Sequence, residues 1–126
     1  MDSYILIIDD SQTNNVLLAA ILDEAGYANK TATSAAEGWN MIYQQKPALV
    51  LLDLLMPKIS GFQLLERLKN RPDYASIPII VVSALNEHDT IKILKEMGAA
   101  DFIPKPLNIQ TLMKSIRQTI GLPDNN

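Results

Sequence analysis

The chain predicts an α/β fold: a five-stranded parallel sheet, doubly wound by helices, in strand order 2-1-3-4-5. Three observations carry this. Short apolar runs alternate with longer stretches of helical period, five times over. The runs at Leu49–Leu52 and Ile77–Val82 are continuously apolar, the pattern of strands covered on both faces. The connections are long enough for crossover helices, and right-handed crossovers leave few topologies. The order 2-1-3-4-5 is a common five-stranded solution, and its ligand site lies beyond the carboxyl ends of the strands, between strands one and three.

The elements follow in sequence. Tyr4 to Ile8 is an apolar run closed by Asp9-Asp10. The polar segment Ser11-Gln12-Thr13-Asn14-Asn15 opens a helix in which Val16, Leu17, Ala20, Ile21 and Ala25 recur at helical spacing, with Gly26 as its stop. Asn14 is read as a cap of this helix rather than a contact to the acidic pair. Tyr27 to Thr33 is the second strand. Ser34 caps the next helix with Glu37 in capping-box position, and Ala35, Trp39 and Ile42 share one face, which places Trp39 in the core.

Strand three, Leu49–Leu52, runs into Asp53 and a loop with Pro57 and Gly61. Phe62, Leu64, Leu65 and Leu68 make an amphipathic helix that ends near Asn70-Arg71-Pro72. Ile77 to Val82 is strand four, ending in Ser83. Asp89 to Met97 is the fourth helix, apolar at Ile91, Ile93, Leu94 and Met97 and stopped by Gly98. His88, the only histidine, sits at its polar entry as a solvated side chain. Ala100 to Ile103 is strand five, Pro104-Lys105-Pro106 breaks the chain, and Leu107 to Ile120 forms the last helix. One domain over residues 1–122 is expected, with 123–126 as a tail or the start of a linker.

Composition narrows the function. With 126 residues, 48% of them hydrophobic, the chain can bury a full core. A net charge of −3 offers no footprint for nucleic acid or an anionic membrane. No cysteine is present, so disulfides and thiolate metal sites are excluded. No apolar run reaches the length of a membrane span, and Met1-Asp2-Ser3-Tyr4 does not resemble a signal peptide, so a cytoplasmic location is expected.

The strand ends carry the chemistry. Strand one delivers Asp9 and Asp10, strand three Asp53, strand four Ser83 and strand five Lys105. Any one of these alone would be an ordinary strand-end polar residue. Together they map onto one mouth of the sheet. Three carboxylates so close raise one another's pKa and call for a counter-charge. A hard divalent cation such as Mg2+ suits them, and a lysine ammonium supplies a second positive charge. Cation and lysine both bind phosphoryl oxygens, and a carboxylate can form an aspartyl phosphate. Asp53, central and alone, is the better nucleophile. The adjacent Asp9 and Asp10 are the better metal holders, and the Ser83 hydroxyl can bond a further phosphoryl oxygen.

These residues resemble the receiver domain of two-component response regulators, a flavodoxin-like (βα)5 fold. The resemblance runs from Ile5 to about Ile120. It is carried by Asp9-Asp10, by Asp53-Leu54-Leu55-Met56-Pro57-Lys58-Ile59-Ser60-Gly61, by Ser83-Ala84 and by Lys105-Pro106. It implies that Asp53 accepts phosphate from a histidine kinase or histidine phosphotransfer protein. It implies that Asp10, Asp53 and the Leu55 carbonyl ligate Mg2+, with Asp9 acting through water. Lys105 would pair with the phosphoryl group, and Ser83 and Phe102 would be the switch residues. A cis bond at Lys105-Pro106 and a tight backbone path at Pro57 and Gly61 are also implied.

The family's output and dimer surface, made by helix four, strand five and helix five, would here include Glu87, Lys92, Ile93, Glu96 and Met113. It would address a downstream effector, a tethered output domain or a second copy of the chain. Leu55 and Leu85, apolar beside the path of hydrolytic water, imply slow loss of phosphate. The resemblance implies a regulatory phosphoacceptor and not an enzyme acting on other substrates.

Three rival readings fit less well. A phosphorylation-independent interaction module on the same fold need not keep the full set of Asp9, Asp10, Asp53, Ser83 and Lys105. A Mg2+-dependent phosphatase of aspartate-nucleophile type places a second Asp two residues after its first-strand nucleophile, where this chain has Ser11. A flavin-binding module needs a neutral phosphate loop after strand one, where this chain has two carboxylates.

Overall fold

A computed structural model of the chain describes residues 3–56, 60–85 and 87–123. Among these, strands β1 (Ile5–Ile8), β2 (Asn29–Ala32), β3 (Leu49–Leu52), β4 (Ile79–Ser83) and β5 (Asp101–Pro104) alternate with helices α1 (Gln12–Ala25), α2 (Ala35–Gln44), α3 (Gly61–Lys69), α4 (His88–Glu96) and α5 (Ile109–Ile120). All neighbouring strands pair in parallel, in the order β2-β1-β3-β4-β5, as the alternation predicts. Pro57 of the expected loop and residues 124–126 of the expected tail lie outside the described residues.

The sheet divides the core in two. Successive strand residues point to opposite faces, so Leu6, Ile8, Val50 and Leu52 pack with Leu64, Leu65, Leu68 and Leu94 on the α2–α4 side. Ile5, Ile7, Leu49 and Leu51 pack with Leu18, Leu22, Leu112 and Ile116 on the α1–α5 side. Burial of each such aliphatic side chain stabilises the fold by about 1.5–3 kcal/mol. Covering both faces is what made the strands read as unbroken apolar runs.

The C-terminus of α1 and the N-terminus of α2 follow their sequence signals. Ser11 caps α1 by accepting from the Asn14 N–H at 3.2 Å, and Gly26 ends it in the left-handed region at φ 90°. Ser34 caps α2 through the Glu37 N–H, while the Glu37 carboxylate reaches back to the Thr33 N–H. α3 opens on a reciprocal capping box between Ser60 and Gln63.

Three expected faces are corrected. In α1 the buried stripe is Asn15, Leu18 and Leu22, whereas Val16 and Leu17 are 63% and 51% exposed. The helix is apolar nearly all round from 16 to 22, so periodicity alone does not choose the face. Asn15 chooses it, by anchoring to strand-end carbonyls. In α4 only Leu94 is fully buried, and Ile93 is exposed. Met113 is buried among Ile103, Leu112 and Ile116, not displayed on the α4–β5–α5 surface, where Glu87, Lys92, Ile93 and Glu96 are exposed. Trp39 is half-buried at the edge of the core, its ring edge-on to Tyr74 at 5.6 Å.

Candidate functional site

Parallel register brings the strand ends together. Ile8 pairs with Leu52, so Asp9 and Asp53 leave neighbouring strands side by side. The Asp53 N–H donates to the Ile8 carbonyl at 2.9 Å, which carries the ladder one step past the strands. On the far side of β4, the Lys105 N–H donates to the Ser83 carbonyl at 3.0 Å. From the end of β5 the Lys105 side chain reaches Asp9 and Asp53.

Asp9, Asp10 and Asp53 each offer one carboxylate oxygen, and these three oxygens lie within 4.8 Å of one another. Asp9 is 3% exposed and Asp53 6%, while Asp10 faces solvent. Lys105 Nζ stands 3.3 Å from Asp9 Oδ2 and 4.0 Å from Asp53 Oδ1. Burial pushes the Asp53 carboxyl above its ordinary range. Lys105 and the Leu55 N–H oppose that rise, and the charges of Asp9 and Asp10 add to it. The Leu55 N–H donates to Asp53 Oδ1 at 3.3 Å, and the Leu55 side chain is exposed.

Such a donor set suits a hard cation. It presents only oxygen, two carboxylates are shielded from bulk water, and one is open to it. Mg2+ binds through one or two carboxylates and keeps several waters. Among the described residues three carboxylates face one ammonium, an excess of negative charge that makes cation binding electrostatically favourable.

The remaining predicted residues lie on or just beyond β4 and β5 and at the start of α3. Ser83 is buried at the end of β4, its Oγ accepting from the Leu85 N–H at 3.1 Å. Leu85 is half-buried against the core. Phe102 is 9% exposed, packed into the α2–α4 side of the core. The Lys105–Pro106 bond is cis, as the resemblance implies. Gly61 is required by close approach. Its N–H donates to the Leu54 carbonyl at 3.0 Å, and a Cβ there would overlap the Asp53 carbonyl oxygen and stand 2.6 Å from Leu54 Cα.

Two residues of the first turn of α1 belong to the site in ways the sequence reading missed. Asn14, read as a cap, instead donates its side-chain amide to Asp9 Oδ2 at 3.3 Å. The cap is Ser11, whose N–H also donates to Asp9 Oδ1 at 2.9 Å. Buried Asn15 donates to the carbonyls of Asp9 at 2.9 Å and Ala32 at 3.2 Å, tying the ends of β1 and β2 to the helix. The available signal was an amide on the same helical stripe as Leu18 and Leu22.

Comparison with known proteins gives a consistent result. Residues 5–117 match the model of the response regulator receiver domain. The chain is 35% identical to the protein PilH of Pseudomonas aeruginosa over 118 residues, covering 93% of this chain and 97% of that protein. It is 30% identical over 125 residues to sporulation initiation phosphotransferase F of Bacillus subtilis, covering 99% of each. It is 32% identical to the DNA-binding regulator RpaA of a Synechocystis strain, but spans only 50% of that longer protein. Among solved structures, the signal receiver domain of a histidine kinase from Syntrophus aciditrophicus superposes with a TM-score of 0.85 at 32% identity, covering 94% of this chain and 89% of that one. The chemotaxis protein CheY4 of Vibrio cholerae, at 24% identity, shares the fold with a TM-score of 0.87, covering 94% of this chain and 99% of that one.

Proposed function

The chain belongs to the response regulator receiver family, and on that premise we propose that it is a phosphorylation-controlled switch whose acceptor is Asp53. The observation that carries the reading is the convergence of Asp9, Asp10, Asp53 and Lys105 at one mouth of the sheet. An Asp53 carboxylate oxygen attacks the phosphorus of a phosphohistidine on a histidine kinase or phosphotransfer protein. The new O–P bond forms as the N–P bond breaks, and the imidazole leaves with the bonding pair. Lys105 neutralises charge on the transferring group, and the Ser83 hydroxyl donates to one of its oxygens.

Asp10, Asp53 and the Leu55 carbonyl would hold Mg2+, with Asp9 acting through water. The ion supplies charge neutralisation at the phosphoryl oxygens. The remaining catalytic contribution is positioning. The ladder fixes Asp53, burial limits water around it, and the Leu55 N–H orients its Oδ1.

Phosphorylation then biases a two-state element, with Ser83 and Phe102 as the switch and the exposed α4–β5–α5 face as output. That face would meet a downstream effector, a tethered output domain or a second copy of the chain. The reading places the protein in the cytoplasm, consistent with the absence, among described residues, of any helix long and apolar enough to cross a membrane.

The test is intact-mass analysis after incubation with acetyl phosphate and Mg2+. Wild type should gain one phosphoryl group and Asp53→Asn none. No gain by wild type, or an equal gain by the variant, refutes the assignment.

A further inference from the structure

Asp9 is held far more completely than its neighbour Asp10. Its Oδ1 accepts from the Ser11 N–H, and its Oδ2 accepts from both Asn14 Nδ2 and Lys105 Nζ, each at 3.3 Å. Its carbonyl accepts from Asn15, and its own N–H donates to Ala32. Asp10, one residue on, is exposed.

Of the two side-chain donors on Asp9 Oδ2, one is shared. Lys105 also faces Asp53 Oδ1 at 4.0 Å, so its ammonium divides its attraction between two carboxylates. Any group or charge that draws Lys105 towards Asp53 takes a donor from Asp9. Asn14 is different. It is neutral, only its NH2 end can face a carboxylate, and it sits on the first turn of α1 with its backbone fixed by the Ser11 cap.

Resting on the receiver reading above, we propose that Asn14 is a positioning residue for divalent-cation capture. It acts through Asp9, holding that carboxylate in place independently of where Lys105 points. Removing it leaves Oδ2 with Lys105 alone while Oδ1 stays on the Ser11 N–H, so that end of the carboxylate follows the lysine and the preformed acidic cluster loosens. Outer partners of this kind commonly change metal affinity by about 10- to 100-fold. Asn14 is partly exposed and its bond is long, so the lower end applies.

The test is calorimetric titration of the full chain with Mn2+, comparing wild type, Asn14→Leu and Asn14→Ala, with thermal melting of each metal-free protein. The Leu variant keeps the size of the side chain and loses the donor. Both variants should bind Mn2+ roughly tenfold more weakly, while their melting points stay within a few degrees of wild type. Wild-type-like or tighter binding by a folded variant overturns the proposal, as does a wild type that binds no Mn2+. Should the Leu variant fail to fold, the Ala variant is judged by the same criterion. The readout is cation binding, so it is separate from phosphoryl gain. A wild type that binds Mn2+ but takes no phosphoryl group from acetyl phosphate counts against the acceptor assignment, not against Asn14.

Discussion

Lys105 lies closer to Asp9 than to Asp53: its Nζ is 3.3 Å from Asp9 Oδ2 and 4.0 Å from Asp53 Oδ1. Among the described residues, Lys105 is therefore the counter-ion paired with two of the three clustered carboxylates. Its side chain is only 26% exposed and that of Asp9 4%, so screening by water is incomplete. Lys105→Met should destabilise the metal-free protein by about 2 kcal/mol, below the full figure for a deeply buried pair because the lysine is partly solvated. Mg2+ should then raise the variant's melting point more than that of wild type. Equal increments would mean that the ammonium and the cation do not relieve the same repulsion.

The raised pKa of Asp53 makes a prediction about pH. Burial is its largest cause, so the folded chain holds the Asp53 proton more tightly than the unfolded chain does. Ionising Asp53 therefore costs stability. That cost is absent below the ordinary carboxylate value of 3.8, grows as pH rises through the window above it, and is complete above the folded-state value. Asp53→Asn removes the cost. In EDTA, the variant's gain in melting temperature over wild type should be larger at pH 7 than near pH 4. A gain equal at both pH values would show that burial of this carboxylate has no energetic consequence.

Gly61 ties the start of α3 to the backbone of Asp53 and Leu54. A methyl group there would meet the Asp53 carbonyl and the Leu54 Cα, both backbone, so no side-chain rotation relieves the overlap. Gly61→Ala should destabilise the protein by about 1–3 kcal/mol, as overpacking of a fixed site does. It should also slow phosphoryl gain from acetyl phosphate, because Asp53 must shift. Urea denaturation midpoints and intact-mass time courses measure the two effects. A stable variant with an unchanged rate would show that the start of α3 yields without moving Asp53.

On the proposed phosphoacceptor reading, Leu55 and Leu85 should give Asp53 phosphate a long lifetime. Leu85 is half-buried against the core and Leu55 projects outward beside Asp53, so neither offers a group that could activate water. Leu85→Glu, which adds a carboxylate able to orient water, should lower the hydrolytic barrier by about 1 kcal/mol, roughly a fivefold shorter lifetime. Decay followed by intact mass decides this. A lifetime unchanged in the variant would mean that water reaches the acyl phosphate from elsewhere.

Much of this arrangement was legible in the sequence. The alternation of buried runs with helical periods determined the fold class and strand order, because hydrophobic period and crossover handedness leave few packings. The same order placed Asp9, Asp10, Asp53, Ser83 and Lys105 at one mouth. What periodicity could not decide was the buried face of α1. Val16 and Leu17 fit an apolar stripe as well as Leu18 and Leu22 do, and the choice rests on Asn15 bonding to the carbonyls of Asp9 and Ala32.

The partners of each carboxylate belong to tertiary structure for a related reason. The sequence showed that Asp9 and Asp53 share a site. It did not show that Asp9 Oδ2 is taken by Lys105 and Asn14 while Asp10 stands open to solvent. Hydrophobic burial is non-directional and follows pattern, so it can be read from the order of residues. Hydrogen bonds and ion pairs depend on differences of a few tenths of an ångström in the distance between segments far apart in the chain, and only the folded register sets those.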